Sequence, residues 1–445
     1  MTTVVVAGDG RMDPQYVKPD RRTMAASTVG TVMEWYDFNL YGLASALVFG
    51  PLFFGSSGAG AVLASFATFA VGFAARPIGG LLFGHLGDRV GRKYVLLVTM
   101  LAMGVATTLI GLLPTYATVG LWAPILLIVL RICQGIAVGG EFAGATLLTV
   151  ESAPPGKRGL YGAIPAMGTG AGFVLASAVF GLVAMLPKAD FESWGWRVPF
   201  LLSAVLVLFG FWVRSGIRET PVFAELEDNG GRERFPLIAT VRNQPLAVVR
   251  VLGITVSGFV WGYMIQAFGL SYATGTLKIE SSTMLWSIAL ASALEIVAIP
   301  FWGWLSDRIG RRVVIGMGLV CTVAYAYPFF MLLETRSTPM IMLAMVLAIP
   351  ICKDMVFGPQ AALVAELFEA RIRYSGVSVG REFGGAVFGG TAPFIGAALH
   401  SATGSVTPVA IYVMVGCVLT GLAVFTGRET AHDQETYPEP ERIGW

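Results

Sequence analysis

Twelve apolar runs divide this chain, and each is long enough to cross the hydrocarbon core of a bilayer, which takes about 20 helical residues. The runs lie at 25–50, 59–86, 93–114, 121–151, 158–186, 197–214, 246–274, 283–305, 313–334, 338–366, 374–400 and 405–427. A backbone in lipid has to satisfy its hydrogen bonds internally, so such runs are typical of membrane-spanning α-helices. Charged residues make up 13% of the chain, about half the share usual in a soluble domain. We therefore predict an all-α membrane protein with twelve transmembrane helices.

A charged turn of ten residues occurs twice, as GHLGDRVGRK from Gly84 and as GWLSDRIGRR from Gly303, 219 residues later. An offset near half of the chain length indicates a duplicated fold with two similar halves of six helices. A second pair of charged residues repeats at nearly the same offset. We predict that these repeats hold one side of the protein closed by contacting neighbouring helix ends, through Gly84, Asp88, Arg89, Gly91, Arg92, Asp307, Arg308, Arg311, Glu151, Arg158, Glu366 and Arg373.

The long polar segment 215–245 separates the two sets of runs and is typical of a connector. The predicted organisation is a tail at 1–24, a six-helix half at 25–214, the connector at 215–245, a second half at 246–427 and a tail at 428–445. Most of the 30 lysines and arginines lie in the tails, the connector and the loops of one side, whereas the opposite loops hold Lys188, Lys278 and Arg336. Basic residues favour the cytoplasmic side, so both termini are predicted to be cytoplasmic.

Ionisable residues also lie inside the runs, where each costs about 2.5–3.5 kcal/mol at a helix centre if it faces lipid. They are Glu34, Asp37, Arg76, Arg131, Glu141, Glu295, Lys353, Asp354, Arg381 and Glu382. Together they would cost about 30 kcal/mol in lipid, so we expect them to face one another or a water-filled cavity. Charges that converge between two helical halves are typical of an alternating-access transporter with its site near the midplane.

The spacing of these residues suggests roles for several of them. Glu34, Asp37 and Tyr41 share one helical face, and two carboxylates so close cannot easily both be ionised, so one of them can carry a proton. Arg131 can bind a carboxylate or act on a neighbouring acid. We predict proton coupling by Asp37, Glu34 and Arg131, and substrate binding by Arg76, Arg131, Gln134, Tyr41, Lys353, Arg381, Tyr263 and Gln360.

Other assignments stay open at this stage. Lys353–Asp354 and Arg381–Glu382 are either substrate contacts or structural ion pairs, and the sequence gives Glu295 no obvious partner. Aromatic residues that can line a pocket for an organic solute, or simply pack, are Trp35, Tyr36, Trp261 and Tyr263.

The segments EWYDFNLYG, RPIGGLLFGHLGDRVGRK, RICQGIAVGGEF, ESAPPGKRG and WGWRVPF resemble the metabolite:proton symporter family of the major facilitator superfamily. The resemblance runs from about residue 25 to 427. It implies twelve helices in two six-helix halves, a monomer in the bacterial inner membrane, and proton-driven uptake of small organic acids and osmolytes. It also implies that Arg131 matches a fourth-helix arginine associated with proton coupling, and that Asp37 and Glu34 match the first-helix acids. Arg381–Glu382 departs from the aromatic or amide residues of the family, which favours an anion other than shikimate.

The resulting hypothesis is a symporter that imports a small organic anion, a shikimate-like or other carboxylate, together with protons. Its partners are then the organic acid, protons and the lipid bilayer, with no cofactor, metal or nucleic acid. The alternatives are a proton-coupled exporter of drugs or metabolites on the same fold, and uptake of an osmolyte such as betaine or proline. The fifth run, AIPAMGTGAGF, has no proline among its glycines, which counts against export. A membrane sensor would need a signalling domain outside the membrane, and an enzyme would need a nucleophile–base pair, a metal cluster or a phosphate loop. None of these is visible in the sequence.

Overall fold

The computed structural model describes residues 21–55, 58–90, 92–139, 146–147, 149–151, 153–154, 156–215, 242, 244–368 and 373–431. Gly91, Glu141, both tails up to 20 and from 432, and the connector at 216–241 and 243 lie outside the described residues. The side chains from 84 to 94 are also outside them, so the roles of Gly84, Asp88, Arg89 and Arg92 stay predictions.

Six long helices precede the connector, as predicted from the apolar runs. They are α1 (Arg21–Leu47), α2 (Ala59–Val90), α3 (Arg92–Leu112), α4 (Trp122–Val138), α5 (Arg158–Ala184) and α6 (Arg197–Ser215). Short helices at Phe49–Phe54, Tyr116–Val119 and Lys188–Asp190, and a π-helical turn at Phe191–Gly195, lie in the connections.

Six long helices follow the connector, so the predicted division of the fold into two halves is confirmed. Three of them are interrupted by π-helical turns. They are α7 (Pro245–Tyr263, Met264–Phe268, Gly269–Gly275), α8 (Ser281–Ile309), α9 (Arg311–Glu334), α10 (Thr338–Val346, Leu347–Lys353, Asp354–Glu366), α11 (Arg373–Gly384, Gly385–Gly389, Ala392–Thr403) and α12 (Thr407–Phe425).

The outer surface of the bundle is apolar. Large hydrophobic side chains such as Leu208, Trp212 and Val297 are exposed, and a hydrophobic outer face is what lipid requires. Within the described residues, eight helices are long and apolar enough to cross a membrane, and Leu97–Leu112 and Trp122–Val138 are shorter apolar helices. Of the remaining long helices, α1 carries the buried acids Glu34 and Asp37 in its middle, and α11 is interrupted by a turn at Gly390 and Thr391.

Helix α5 of the first half packs against α8 of the second along most of its length, through glycines that allow close approach. A Cβ atom added at Gly159 would lie 2.4 Å from the carbonyl oxygen of Gly303, and one at Gly170 would lie 2.9 Å from that of Ser292. Near the other end of α5, a Cβ atom at Gly181 would lie 3.5 Å from Leu285. The halves therefore contact each other toward both ends of the bundle.

The second charged turn joins the halves at one end, which we call the motif end. Asp307 accepts hydrogen bonds from the backbone N–H groups of Gly159 (2.8 Å) and Leu160 (2.9 Å), at the start of α5. A carboxylate at a helix N-terminus satisfies free amides and complements the helix dipole. Arg311 pairs with Asp307 at 2.7 Å. The second copy of the turn thus contacts a neighbouring helix end, while its role in holding this side closed stays a prediction.

The second repeated pair of charged residues also lies at the motif end. Arg373 of the second half pairs with Glu151 of the first at 3.1 Å. Glu366 pairs with Arg311 at 3.4 Å and interacts electrostatically with Arg158. Arg308 is different, because it is exposed and its guanidinium lies 4.1 Å from the ring centre of Trp304.

A carboxylate from beyond α12 caps the start of α9. Glu429 accepts hydrogen bonds from the backbone N–H groups of Arg311 (2.9 Å) and Arg312 (3.0 Å), and from those of Thr430 and Ala431. The capping position itself is Gly310, with φ +104°, a conformation that side chains rarely adopt. Glu429 thus supplies from a distant segment the cap that a side chain at 310 would normally provide.

Candidate functional site

A small cavity lies between the two halves. Its walls come from α1 and α5 of the first half and from α7 and α10 of the second, through Trp35, Thr169, Phe173, Thr255, Gly258, Phe259, Gly262, Tyr263, Gln266, Lys353, Phe357 and Gln360. Its volume is about 30 Å³, enough for one or two water molecules but not for an organic acid. The side chains around it have to move apart before a solute of that size can enter.

Aromatic rings form much of the cavity wall. Trp35 contacts Phe173 and Phe357 edge to face, with ring centres 5.5 and 6.5 Å apart. Phe259 and Tyr263 are stacked one turn apart on α7, at 6.4 Å. Such faces pack well against an apolar ring or a cationic group of a ligand.

Several polar groups on the wall have no hydrogen-bond partner among the described residues. They are Trp35 Nε1, Thr169 Oγ1, the Tyr263 hydroxyl, and both amide atoms of Gln266. Gln266 is 2% exposed, so leaving its amide without partners is costly unless water or a ligand supplies them. This wall therefore offers donors and acceptors to a polar solute.

Lys353 provides the positive charge of the cavity. Its ammonium lies 2.5 Å from Glu295 Oε1 on α8 and 3.4 Å from Asp354 Oδ1. It also lies 5.3 Å from the ring centre of Phe173, across the interface between the halves. We call Lys353, Glu295 and Asp354 the lysine triad. Glu295, which had no obvious partner in the sequence, is thus the acid nearest to Lys353.

A second charged group lies between α2 and α11. The Arg76 guanidinium pairs with Glu382 of the other half through Nε at 2.6 Å, and with Glu34 through Nη2 at 3.2 Å. Arg381 lies 3.7 Å from Glu382. These four residues, the arginine tetrad, carry two positive and two negative charges. Glu382 is therefore bonded most closely to Arg76 and not to its sequence neighbour.

Asp37 and Arg131 belong to a third polar network, inside the first half. The Asp37 carboxylate accepts hydrogen bonds from Ser203 (2.6 Å) and Thr107 (2.8 Å). Gln134 donates to the Thr107 hydroxyl at 2.7 Å and accepts from Arg131 at 2.5 Å. Side chains from α1, α3, α4 and α6 are thereby linked in one buried chain of hydrogen bonds.

The Arg131 guanidinium is held mainly by aromatic faces. It lies 4.0 Å from the ring centre of Tyr41 and 4.4 Å from that of Phe38. Its Nε and Nη2 atoms have no hydrogen-bond partner among the described residues. Gly72 leaves room for it, since a Cβ atom there would lie 2.2 Å from Arg131 Nε. Buried, stacked and incompletely bonded, Arg131 retains donors for an anion or for Asp37.

The structure separates residues that the sequence analysis grouped. Glu34 and Asp37 share a helix but have different hydrogen-bond partners, since Glu34 pairs with Arg76 while Asp37 accepts from Ser203 and Thr107. That one of the two acids carries a proton stays a prediction. Among the predicted substrate-binding residues, Lys353, Tyr263 and Gln360 line the cavity. The others, which are buried but outside the cavity lining, are Arg76, Arg131, Gln134, Tyr41 and Arg381.

Two of the four candidate aromatics also lie elsewhere. Tyr36 donates to the Pro199 carbonyl and Trp261 to that of Ala348, so both serve packing. Gln266 and Thr169 line the cavity but were not among the predicted site residues. A mid-span glutamine such as Gln266 is a polar residue at membrane depth, and that signal could have identified it.

Three π-helical turns lie in the helices that carry these groups, at Met264–Phe268, Leu347–Lys353 and Gly385–Gly389. Gln266 and Lys353 are both within such turns. π-Helical turns inside α-helices occur frequently at functional sites. They shift the direction of the following side chains, which hydropathy cannot reveal. Among the described residues, no group of histidine, cysteine, aspartate and glutamate could hold a metal ion.

Comparison with known proteins agrees with this architecture. A family model for sugar and other transporters matches residues 23–234, and a model for the major facilitator superfamily matches 250–443. The shikimate transporter of Escherichia coli K12 is 41% identical over 92% of this chain and 95% of its own length. A proline/betaine transporter of Salmonella typhimurium is 33% identical, over 96% and 86%.

Among solved structures, the inward-open xylose transporter XylE from E. coli matches with a TM-score of 0.69. The match covers 92% of this chain and 96% of that one, at 16% identity, so it supports the fold alone. The full-length relatives, the two family models and the paired six-helix halves lead to one conclusion. This chain belongs to the major facilitator superfamily, and it is a multi-pass membrane transporter and not an enzyme.

Proposed function

We propose that this transporter is a proton-coupled symporter that imports a small hydroxylated organic anion by alternating access. The observation that carries the proposal is the cavity between the halves. There the Lys353 ammonium lies beside aromatic faces and beside polar groups that have no hydrogen-bond partner in the described part of the chain. A carboxylate can bind the ammonium, a ring can pack on the aromatic faces, and hydroxyl groups can bond Gln266, Tyr263 and Thr169. The shikimate transporter among the relatives supports a solute of this class.

For proton coupling, we propose Asp37 as the site in the first half. Its carboxylate is 1% exposed and accepts hydrogen bonds from two hydroxyl groups. When a proton binds, Asp37 becomes a donor, and the bonds through Thr107 and Gln134 to Arg131 have to rearrange. That rearrangement would connect protonation to the packing of α1 against α3, α4 and α6. Glu34 then has a different role, as a partner of Arg76.

The conformational cycle is proposed to break the contacts between the halves one end at a time. The bonds of Asp307 to α5 and the pair Arg373–Glu151 would open together at the motif end. The Arg76–Glu382 pair also joins the halves, so solute or proton binding has to act on it. We further propose an inner-membrane location with cytoplasmic termini and a monomeric carrier, as the charge distribution and the family resemblance imply.

The experiment that tests this proposal is uptake into liposomes that contain a pH-sensitive dye. Shikimate, quinate, 2-oxoglutarate, citrate and glycine betaine would be added singly to the purified, reconstituted protein. We expect internal acidification with a hydroxylated ring acid, weakened by Gln266→Ala and unchanged by Glu280→Gln, a substitution of an exposed acid at the start of α8. Proton efflux provoked by cationic drugs, with no response to any acid, would instead identify an exporter.

A second candidate is osmolyte uptake, favoured by the aromatic wall and by the proline/betaine transporters among the relatives. Rings such as Trp35 and Phe173 can surround a quaternary ammonium group, and Lys353 can bind the betaine carboxylate. Betaine, however, would leave Gln266 and Tyr263 without hydrogen-bond partners, which costs free energy at a buried site. Acidification with betaine alone would favour this candidate.

A further inference from the structure

The lysine triad contains more negative groups than positive ones. Glu295 and Asp354 are fully buried, and Lys353 is 6% exposed. With all three ionised, the triad carries one uncompensated negative charge. In the described part of the chain, the electrostatic partners of Asp354 are Glu295 and Lys353. An unpaired buried charge is costly enough that such a group takes up a proton instead.

The hydrogen bonds of the triad indicate the same imbalance. Glu295 Oε2 has no hydrogen-bond partner among the described residues, and the Asp354 carboxyl has there only the distant Lys353 ammonium, 3.4 Å from its Oδ1. An ionised carboxylate in a protein interior normally accepts several hydrogen bonds. By contrast, Asp37 accepts two, and the arginine tetrad is balanced, with two guanidiniums for two carboxylates. In the described part of the chain, the two carboxyl groups of the triad therefore have too little positive charge and too few hydrogen-bond donors around them for both to be ionised.

Neighbouring helices do not supply the missing charge in the described part of the chain. Helix α8 contributes Glu295, while α1 and α5 contribute the uncharged rings of Trp35 and Phe173. The other titratable groups around this part of α10 are thiols and phenols, which are ordinarily neutral near pH 7. In the described part of the chain these are Cys352 on α10, Cys321 and Tyr325 on α9, Cys417 on α12, and Tyr263 on α7.

We propose that Glu295 and Asp354 share one proton at rest, so that the second half carries a proton site of its own beside the cavity. The shorter bond of Lys353 is to Glu295, so the proton resides mainly on Asp354. A second step rests on the proposed function. When a solute carboxylate binds the Lys353 ammonium, Glu295 loses its counter-ion and takes a proton from a hydronium ion that enters from the side to which the cavity is open. An O–H bond of hydronium breaks, the O–H bond of Glu295 forms, water leaves, and Lys353 stays charged.

Infrared spectroscopy of the protein in lipid at pH 7 tests the first step without any solute. Protonated carboxyl groups absorb infrared light at a different frequency from ionised carboxylates. We expect a protonated-carboxyl band that loses one carboxyl equivalent in Asp354→Asn and also in Glu295→Gln, because the remaining acid then pairs with Lys353. Lys353→Met should act in the opposite direction and add one equivalent. Glu280→Gln should change nothing. A band unaffected by all three triad substitutions would overturn the proposal.

The second step is tested by transport under a membrane potential without a pH gradient. With one proton at Asp37 and one at Glu295, a monoanion enters with a net positive charge. Each net charge is worth about 2.3 kcal/mol per 100 mV, or about 50-fold in accumulation. We expect this dependence in the wild type and its loss in the double variant Glu295→Gln/Asp354→Asn, which leaves no acid of the triad to take up the second proton. Equal dependence in both proteins would refute the step. If no solute enters with protons, the proposed function fails and this step with it, while the infrared result still decides the resting proton.

Discussion

Gly159→Ala is expected to shift the balance between the conformations of the carrier. A Cβ atom at this position would lie 2.4 Å from the Gly303 carbonyl oxygen, which belongs to the other half, and 2.2 Å from Arg311 Nη1. A backbone carbonyl cannot move aside without moving its helix, so the clash acts on the contact between α5 and α8. Overpacking of this kind costs about 1–3 kcal/mol. The cost disappears once the halves separate at the motif end.

The closed motif end should therefore lose about 5- to 150-fold in population relative to the open one. The assay is thiol labelling of Ala163→Cys, at a buried position in the same interface, in a background without other cysteines. We expect faster labelling in Gly159→Ala and slower solute uptake.

Gly172→Ala is the matched control on the same helix. A Cβ atom there would lie 2.6 Å from the Val32 carbonyl oxygen, which belongs to the same half. This substitution should lower the unfolding temperature without accelerating labelling. Labelling that is unchanged in Gly159→Ala, or equally accelerated in both variants, would refute the idea that this glycine contact reports closure of the motif end.

Three further predictions concern charged side chains. Glu382→Gln leaves the Arg76 and Arg381 guanidiniums with one carboxylate fewer, and breaking a buried pair costs about 3–5 kcal/mol. We expect a lower unfolding temperature that an added Arg381→Met partly restores, and additive losses in the double variant would contradict the charge-balance argument. Asp37→Asn keeps that side chain neutral, so solute accumulation should respond less steeply to a pH gradient, with one coupled proton fewer, while exchange of labelled solute continues. A pH response as large as that of the wild type would exclude Asp37 as the coupling site. Glu429→Ala should cost about 0.5–2 kcal/mol as a lost helix cap. Partial burial raises the pKa of Glu429, but hydrogen bonds from backbone amides outweigh it, so the pKa lies below its ordinary value. The stabilisation is then present above the unfolded-state pKa of about 4.3 and is lost as the pH falls through the lower folded-state pKa. Thermal melts of the two proteins should differ at pH 7 and converge in acid below about pH 4, and a constant difference would contradict this cap.

The helices could be predicted closely from the sequence because their lengths are set by the thickness of the bilayer. The apolar run at 59–86 corresponds to the helix Ala59–Val90, and the run at 338–366 corresponds to the helix Thr338–Glu366. That Asp307 contacts a helix end could also be predicted, because the charged turn occurs twice and an aspartate in such a turn can cap a neighbouring helix.

The pairing of the buried charges could not be predicted from the sequence in the same way. Arg76 binds Glu382, 306 positions away, and Lys353 binds Glu295, 58 positions away. Which charges meet depends on the rotation of each helix about its axis, and π-helical turns alter that rotation locally. Adjacent residues such as Lys353 and Asp354 therefore look like natural partners in sequence, although the closest bond of Lys353 is to another helix.

The small size of the cavity has a consequence for affinity. About 30 Å³ lies among the rings of Trp35, Phe173 and Phe357, so a solute has to separate these rings before it can bind. The contacts between the rings are lost as the contacts with the solute form, and only the difference between the two contributes to the binding free energy. Aromatic packing at this position can therefore select a solute by shape without holding it tightly, and a carrier has to release what it binds.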